Sequence, residues 1–523
     1  MTRHARLSLL FLLFLCLGCG GIGARRRFRA TDLFASWKAS LGGDKLSART
    51  LQTLRAWDLE KLYEDQPKQA LERLQQVTDR EPSPDLVFAC SELSFHIGEK
   101  TECKTCSEAL NYYYFCAGYA YHYLFSIAND GSFELRNSPF DPRFRAACDP
   151  YTASVTRCLR AAQKSHRLDI QHSIHIPCCH RKRVNISTVC RGFAWKPKDF
   201  GKLLFCEDYE TKGLANHYRT YGLGVPLIAE RPESARQKGD RYPGKVSFPV
   251  TAFFRFTGSL KDLHASRVGT LELYNPLAVQ SIQVAKHQVP LETDLTTPLA
   301  YFLSQNQISS YGFQGLLTPD KVASKAGIYM LEPYQPGKIP VVMVHGLFSS
   351  PETWTPMFND LRADPQLREK YQFWFYFYPT AHPYLTTAAD LRDELAAIRK
   401  RHSPQGQDAA LDHMVFVAHS MGGLVSKLLT VDSGNDFWKL VSDQPLESLS
   451  INQASQKELK RVLYFERQPF VKKVIYLGTP HRGSSLSPSF VGRLARKLIS
   501  IPKKMLSLGQ EIRNAGGRTW ADG

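Results

Sequence analysis

Beyond Cys206 the chain has no cysteine, and beyond Ser420 it has one histidine, His481. The first absence keeps disulfides and thiolate chemistry out of the C-terminal part. The second leaves that stretch with a single imidazole. Gly222-Leu-Gly224 lacks the third glycine and the setting of a dinucleotide loop, so it reads as a turn. No nucleic-acid-binding module and no basic stripe with interleaved aromatics occurs, which removes nucleic acid from the expected partners despite a formal net charge of +18. That charge favours anionic surfaces such as phospholipid or cell-wall polymer. Arg25 to Arg29 and His180 to Arg183 are short basic runs that read as solvated. With 523 residues and a hydrophobic fraction of 43%, the chain has room for two or three folded domains.

Three apolar runs carry the candidate chemistry. Met414-Val-Phe-Val-Ala-His-Ser-Met-Gly-Gly423 is too short and too rich in β-branched and aromatic residues for a helix, and reads as a buried strand that stops at Ser420. Ala418 and Gly422 on either side leave room for a strained strand-to-helix turn, and Gly423 lets the following helix pack closely. Ser420 is therefore the candidate nucleophile. Lys338-Ile-Pro-Val-Val-Met-Val-His-Gly-Leu-Phe348 is a second buried strand, ending in His345-Gly346-Leu347. Val471 to Leu477 is a third, running into Gly478-Thr-Pro-His-Arg-Gly-Ser484. Between the first two, Tyr371 to Tyr378 reads as a further strand and Leu385 to Arg401 as an amphipathic helix. Strands alternating with helices imply a mostly parallel sheet covered on both faces.

The order HGL, AHSMGG, GTPHRGS, each closing a strand, resembles the lipase and esterase branch of the α/β-hydrolases, over roughly residues 327 to 500. Ala418, where glycine is commoner, is similar to some small bacterial lipases. The resemblance implies that the backbone N–H groups of Leu347 and Met421 form an oxyanion hole, which acyl transfer needs for the oxygen of its tetrahedral intermediate. It makes His345, Gly346, His419 and His481 candidate substrate-binding residues, with the Thr-Pro-His turn at the edge of the acyl pocket. No cofactor and no metal is implied. Family members carry nucleophile, acid and histidine in that chain order, the last two after later strands. Here Asp432, Asp436 and Asp443 fall in or just after the nucleophile helix, Asp522 is the only later aspartate, and His481 lies in a turn that is structural in the family. The expectation is thus an α/β-hydrolase sheet incomplete at the C-terminus, without its triad acid and histidine, in a truncated or degenerate lineage.

The amino terminus reads as an export signal: Arg3, His4 and Arg6 precede the apolar run Leu7 to Leu17, too short for the roughly 20 residues of a membrane-spanning helix. Leu17-Gly-Cys19-Gly resembles a bacterial lipoprotein box with Cys19 as the lipidated residue, although Cys16 stands where leucine is usual; plain cleavage or an uncleaved anchor remain alternatives. The expected location is the cell envelope. Ten of the 12 cysteines lie between Cys90 and Cys206, most simply read as disulfides in an exported chain, with metal ligation or free packing thiols as the other options.

Residues 30–165 read as an α-helical domain that loosely resembles tetratricopeptide hairpins, with a Ser83 N-cap before Pro84 and an aromatic stripe over 111–125 that reads as helix core or, alternatively, a protein-partner surface. Residues 166–295 read as a small β-rich domain, 296–326 as a linker containing a helix over Thr296 to Gln305, and 327–523 as the hydrolase domain. Phe490, Val491, Leu494, Leu498 and Ile501 recur at helical spacing among Arg493, Arg496, Lys497, Lys503 and Lys504. They suit either an interfacial lid over Ser420 or an apolar face packed on the sheet. The whole arrangement resembles exported bacterial lipoprotein α/β-hydrolases. It implies an ester or lipid substrate and contact with a membrane through the lipid anchor.

Overall fold

The computed structural model describes residues 22–27, 45–102, 106–125, 142–164, 174–177, 183–235, 241–243, 245–265, 268–306, 323–483 and 510–514. The signal with Cys19, the Cys178-Cys179 pair and the basic amphipathic stretch over 490–504 lie outside these residues. Among the described residues no helix is long and apolar enough to cross a membrane.

The N-terminal helices are Ala48–Ala56, Pro67–Arg80, Pro84–Glu102, Cys106–Phe125 and Pro142–Lys164, with a short one at Glu60–Asp65. Ser83 begins the third long one, its Oγ accepting the Leu86 N–H at 3.3 Å with Pro84 in the first turn. The aromatic stripe is core. Tyr113, Tyr119, Tyr123 and Tyr151 are buried, and Tyr114 and Tyr121 meet Phe254, Phe253 and Phe256 of the strand Ser247–Phe256. The Tyr151 hydroxyl also donates to the Phe254 carbonyl (2.7 Å) and accepts its N–H (3.0 Å). One apolar core therefore continues across the boundary drawn at 165/166.

The sheet on which these helices pack is six-stranded, in the order Ile174–Pro177, Arg183–Arg191, Val268–Tyr274, Ser247–Phe256, Val225–Glu230, Leu203–Phe205. Its 183–191 and 268–274 strands are parallel and its other pairs antiparallel. The expected disulfides do not form at Cys90, Cys116, Cys190 or Cys206, which are free thiols. Cys90, Cys116 and Cys206 are buried among apolar side chains, and desolvation pushes the Cys90 and Cys116 thiols up to about 12, so they pack as small hydrophobes.

The second sheet has five strands in the order Gly327–Met330, Tyr371–Phe377, Ile339–Val344, Met414–His419, Val471–Leu477. The first is antiparallel to its neighbour and the rest are parallel. Helices cover both faces, which is why the inner strands are nearly continuous apolar runs. Leu299, Phe302, Leu303, Trp354 and Phe358, from the helices Thr296–Asn306 and Thr355–Ala363 and the turn before the latter, press on Val341, Met343, Phe375 and Val417. On the other face the helix Tyr384–His402 offers Ala388, Leu391, Leu395 and Ile398, a stripe at helical spacing, to Val342, Trp374, Tyr376 and Phe416. Arg399, Lys400, Arg401 and His402 fill its last turn, where cations suit the helix dipole. The architecture is mixed α/β.

Strand order places the site. From 339–344 the chain adds its next strand, 371–377, on one side and the following one, 414–419, on the other. In an open α/β sheet the crevice beyond the carboxyl ends of strands at such a switch point is where ligands bind, and here it lies between Val344 and His419.

Candidate active site

Ser420 stands in that crevice, directly after the 414–419 strand and directly before the helix Met421–Lys427. Its backbone is at φ 52° and ψ −120°, a region that costs a residue with a Cβ about 1–3 kcal/mol. The surroundings hold it there. The Ser420 N–H donates to the Leu477 carbonyl of the next strand (2.9 Å), and its own carbonyl accepts the Gly423 N–H (3.0 Å). Ser420 is half-buried, and among the described residues no side chain hydrogen-bonds its hydroxyl.

Three glycines let three strand ends converge on this serine. A Cβ at Gly346 would come within 2.8 Å of His419 Nδ1 and 3.0 Å of Ser420 Cβ, so the loop after the 339–344 strand lies against Ser420 with no room for a side chain. A Cβ at Gly422 would run into the Val344 and His345 carbonyls, and one at Gly423 into the Thr479 side chain. The AHSMGG and HGL segments thus meet through bare backbone. Met421 is the first residue of its helix, so its N–H has no intrahelical acceptor. Among the described residues the Leu347 N–H has none either.

His345 departs from the expectation that it binds substrate. It is fully buried, its ring stacked 4.3 Å from the Tyr378 ring at 10°. Nδ1 donates to the Gly346 carbonyl (3.1 Å), Nε2 accepts the Tyr378 N–H (3.4 Å), and the Tyr378 hydroxyl donates to the His345 carbonyl (2.6 Å). Both ring nitrogens are committed, which sets the tautomer. Burial pushes its pKa down to about 4, opposed in part by the bond to Gly346. A neutral imidazole with no exposed atom pins the loop that carries Gly346 and Leu347; it cannot reach a ligand. Tyr378 is the residue that sequence reasoning missed. Its only signal was a tyrosine at the end of an aromatic strand.

The other candidates are dispersed. His419 is exposed on the strand end next to Ser420, its Nδ1 facing Gly346. His481 is exposed in the turn after the 471–477 strand, its ring edge-on to Tyr476 at 4.6 Å. Neither histidine bonds to Ser420. Asp432 is taken by Arg467, at 3.0 Å side chain to side chain and 2.8 Å from the Arg467 N–H. Phe348, with φ 57° and 46% exposed, closes the HGL loop at the surface. An apolar cavity of about 270 Å³, lined by Phe302, Phe358, Phe375, Phe377, Pro351 and Thr355, lies behind that loop and does not include Ser420.

No protein-family model matches this chain, and a search of curated proteins returns no match. Among solved structures it is similar to the Bacillus licheniformis lipase BlEst2 in mature form, at 24% identity over 34% of this chain and 58% of that one, with a TM-score of 0.19. The chain spans little more than half of that lipase. A likeness at this TM-score carries no argument, so the α/β architecture rests on the strand order and the two helical layers.

Proposed function

We propose that this chain is a serine hydrolase of the lipase and esterase type. Ser420 Oγ attacks an ester carbonyl and forms the acyl bond, the carbonyl oxygen becomes the oxyanion held by the Leu347 and Met421 N–H groups, collapse releases the alcohol with the proton that the serine gave up, and water then cleaves the acyl–serine bond to release the acid and restore the hydroxyl. The proton of the serine hydroxyl needs a base. Among the described residues none touches that hydroxyl, and His481 is the one histidine that follows it in the chain. What carries the reading is the strained Ser420 backbone at the sheet's switch point, against a glycine loop with no side chain between. A non-glycine residue rarely adopts such a conformation unless its surroundings impose it, and active sites are where such strain gathers. Export with a lipid anchor at Cys19, and the division into helical, β-rich and hydrolase parts, belong to the same proposal and rest on the sequence.

A second reading is a noncatalytic surface protein with a degenerate hydrolase part, favoured by the missing base contact and by the exposure of Ile475 and Leu477 on the 471–477 strand. A serine-reactive fluorophosphonate separates the two. It needs one attack rather than turnover, so the hydrolase reading expects labelling that Ser420→Ala abolishes. Absence of labelling, or labelling unchanged in Ser420→Ala, favours the noncatalytic reading.

A further inference from the structure

At the opposite end of the five-stranded sheet from Ser420, where the 339–344 and 371–377 strands begin, residues 192–195 and 275–278 close over a cavity of about 100 Å³. Liquid water occupies about 30 Å³ per molecule, so this space admits a small ion with its remaining hydration. Lys338, Arg362 and Arg368 line it, with Glu332 the one carboxylate.

The three cations are linked to one another. Lys338 Nζ donates to the Arg368 carbonyl (2.7 Å), and Arg368 Nη1 donates to the Arg362 and Ala363 carbonyls (2.8 Å each). Their other bonds also go to neutral groups: Arg368 Nε to the Leu277 carbonyl (2.8 Å) and Arg362 Nη2 to the Leu295 carbonyl. None of the three forms an ion pair with a carboxylate among the described residues. Arg362 is 7% exposed, and its Nε–H, buried with it, has no acceptor. Desolvation lowers all three pKa values, that of Arg362 to about 10, and the Arg368 charge lowers those of Lys338 and Arg362 further, against a raising effect of Glu332. Glu332 is shared, because its Oε2 already accepts from Gln335 Nε2 at 2.9 Å.

Buried guanidinium groups are stable when an anion pairs with them and costly when none does. Within the lining the cations outnumber the carboxylate three to one, and Asp294, Glu369 and Asp364, which lie outside it, offset that charge only at longer range, without an ion pair. The planar guanidinium fork of an arginine matches the oxygens of a tetrahedral oxyanion. We propose that the cavity formed by Lys338, Arg362, Arg368 and Glu332 is a binding site for a small dianionic oxyanion of the phosphate class, seated between the six-stranded sheet's loops and the hydrolase-like sheet. It is independent of the serine-hydrolase reading, since it lies at the other end of the strands.

Titration calorimetry of the full chain with sodium phosphate, against sodium chloride at equal ionic strength, tests it. Saturable binding of about one phosphate per chain is expected, weakened tenfold or more by Lys338→Met and tightened several-fold by Glu332→Gln, which removes the competing carboxylate. Glu332→Gln adds no volume and breaks no backbone bond, so it decides the matter even if Lys338→Met does not fold. Heat no greater than that of chloride, or the same phosphate affinity in wild type and Glu332→Gln, would overturn the proposal.

Discussion

Replacing Ser420 with glycine should make the protein more stable, and replacing it with alanine should not. At φ 52° and ψ −120° the Cβ of any L-residue is strained, by about 1–3 kcal/mol, and alanine keeps that Cβ. The Ser420 hydroxyl makes no hydrogen bond to a described residue, so its loss in alanine costs little. Glycine removes the strain but enlarges the unfolded ensemble, a penalty of about 0.4–1 kcal/mol. The net expectation for Ser420→Gly over Ser420→Ala is a gain of roughly 0.5–2 kcal/mol, which by the scaling for 150–250-residue domains is a rise in Tm of about 1–8 °C. Differential scanning calorimetry of the three proteins at one pH and salt measures it. Equal Tm values for the alanine and glycine variants would mean that the strand-to-helix turn at Ser420 is relaxed in solution, and Ser420 would lose its chief support as a nucleophile.

Tyr378→Phe leaves the buried His345 carbonyl without its 2.6 Å donor and should cost about 1–3 kcal/mol in denaturant unfolding, while slowing labelling of Ser420 through the loosened loop. The depressed His345 pKa predicts a pH signature. The unfolded residue takes up its proton near pH 6.5 and the folded one only near 4, so its contribution is complete above about pH 6.5, falls as pH drops toward 4 and levels off below. Its limit is of order 3 kcal/mol. His122 titrates in the same window, so the measurement is the difference between wild type and His345→Asn, and parallel curves would contradict the assignment. Among the described residues no base reaches the Ser420 hydroxyl, so Ser420 should turn over short p-nitrophenyl esters orders of magnitude below a complete triad, and Ser420→Ala should change the rate little. Fast turnover abolished by Ser420→Ala would show that a base does reach it, and His481→Ala would then be the variant to test.

Local pattern made much of this fold legible. The 414–419, 339–344, 371–377 and 471–477 strands announce themselves as short β-branched or aromatic runs closed by small residues, and the 384–402 helix by its apolar spacing. What stayed hidden depends on contacts far apart in the chain. His345-Gly346 has the same sequence whether the imidazole faces a ligand or stacks on a tyrosine 33 positions later; only the pairing of the 339–344 and 371–377 strands decides. Ten cysteines between 90 and 206 suggest bridges, yet Cys90 and Cys116 fill gaps beside Thr78 and Ser91, which no count can foresee. Arg362 and Arg368 look like solvated helix charges until the carbonyls of Leu277 and Leu295, some 70 to 90 residues earlier, close over them.

The fold, not the serine alone, is expected to make Ser420 a nucleophile. Peptide mass mapping after fluorophosphonate treatment of native and urea-unfolded protein tests it directly. An adduct on the peptide that contains Ser420 is expected in the native protein, absent after unfolding and absent in Ser420→Ala. Equal modification of native and unfolded chains, or an adduct on other serines with Ser420 untouched, would contradict it.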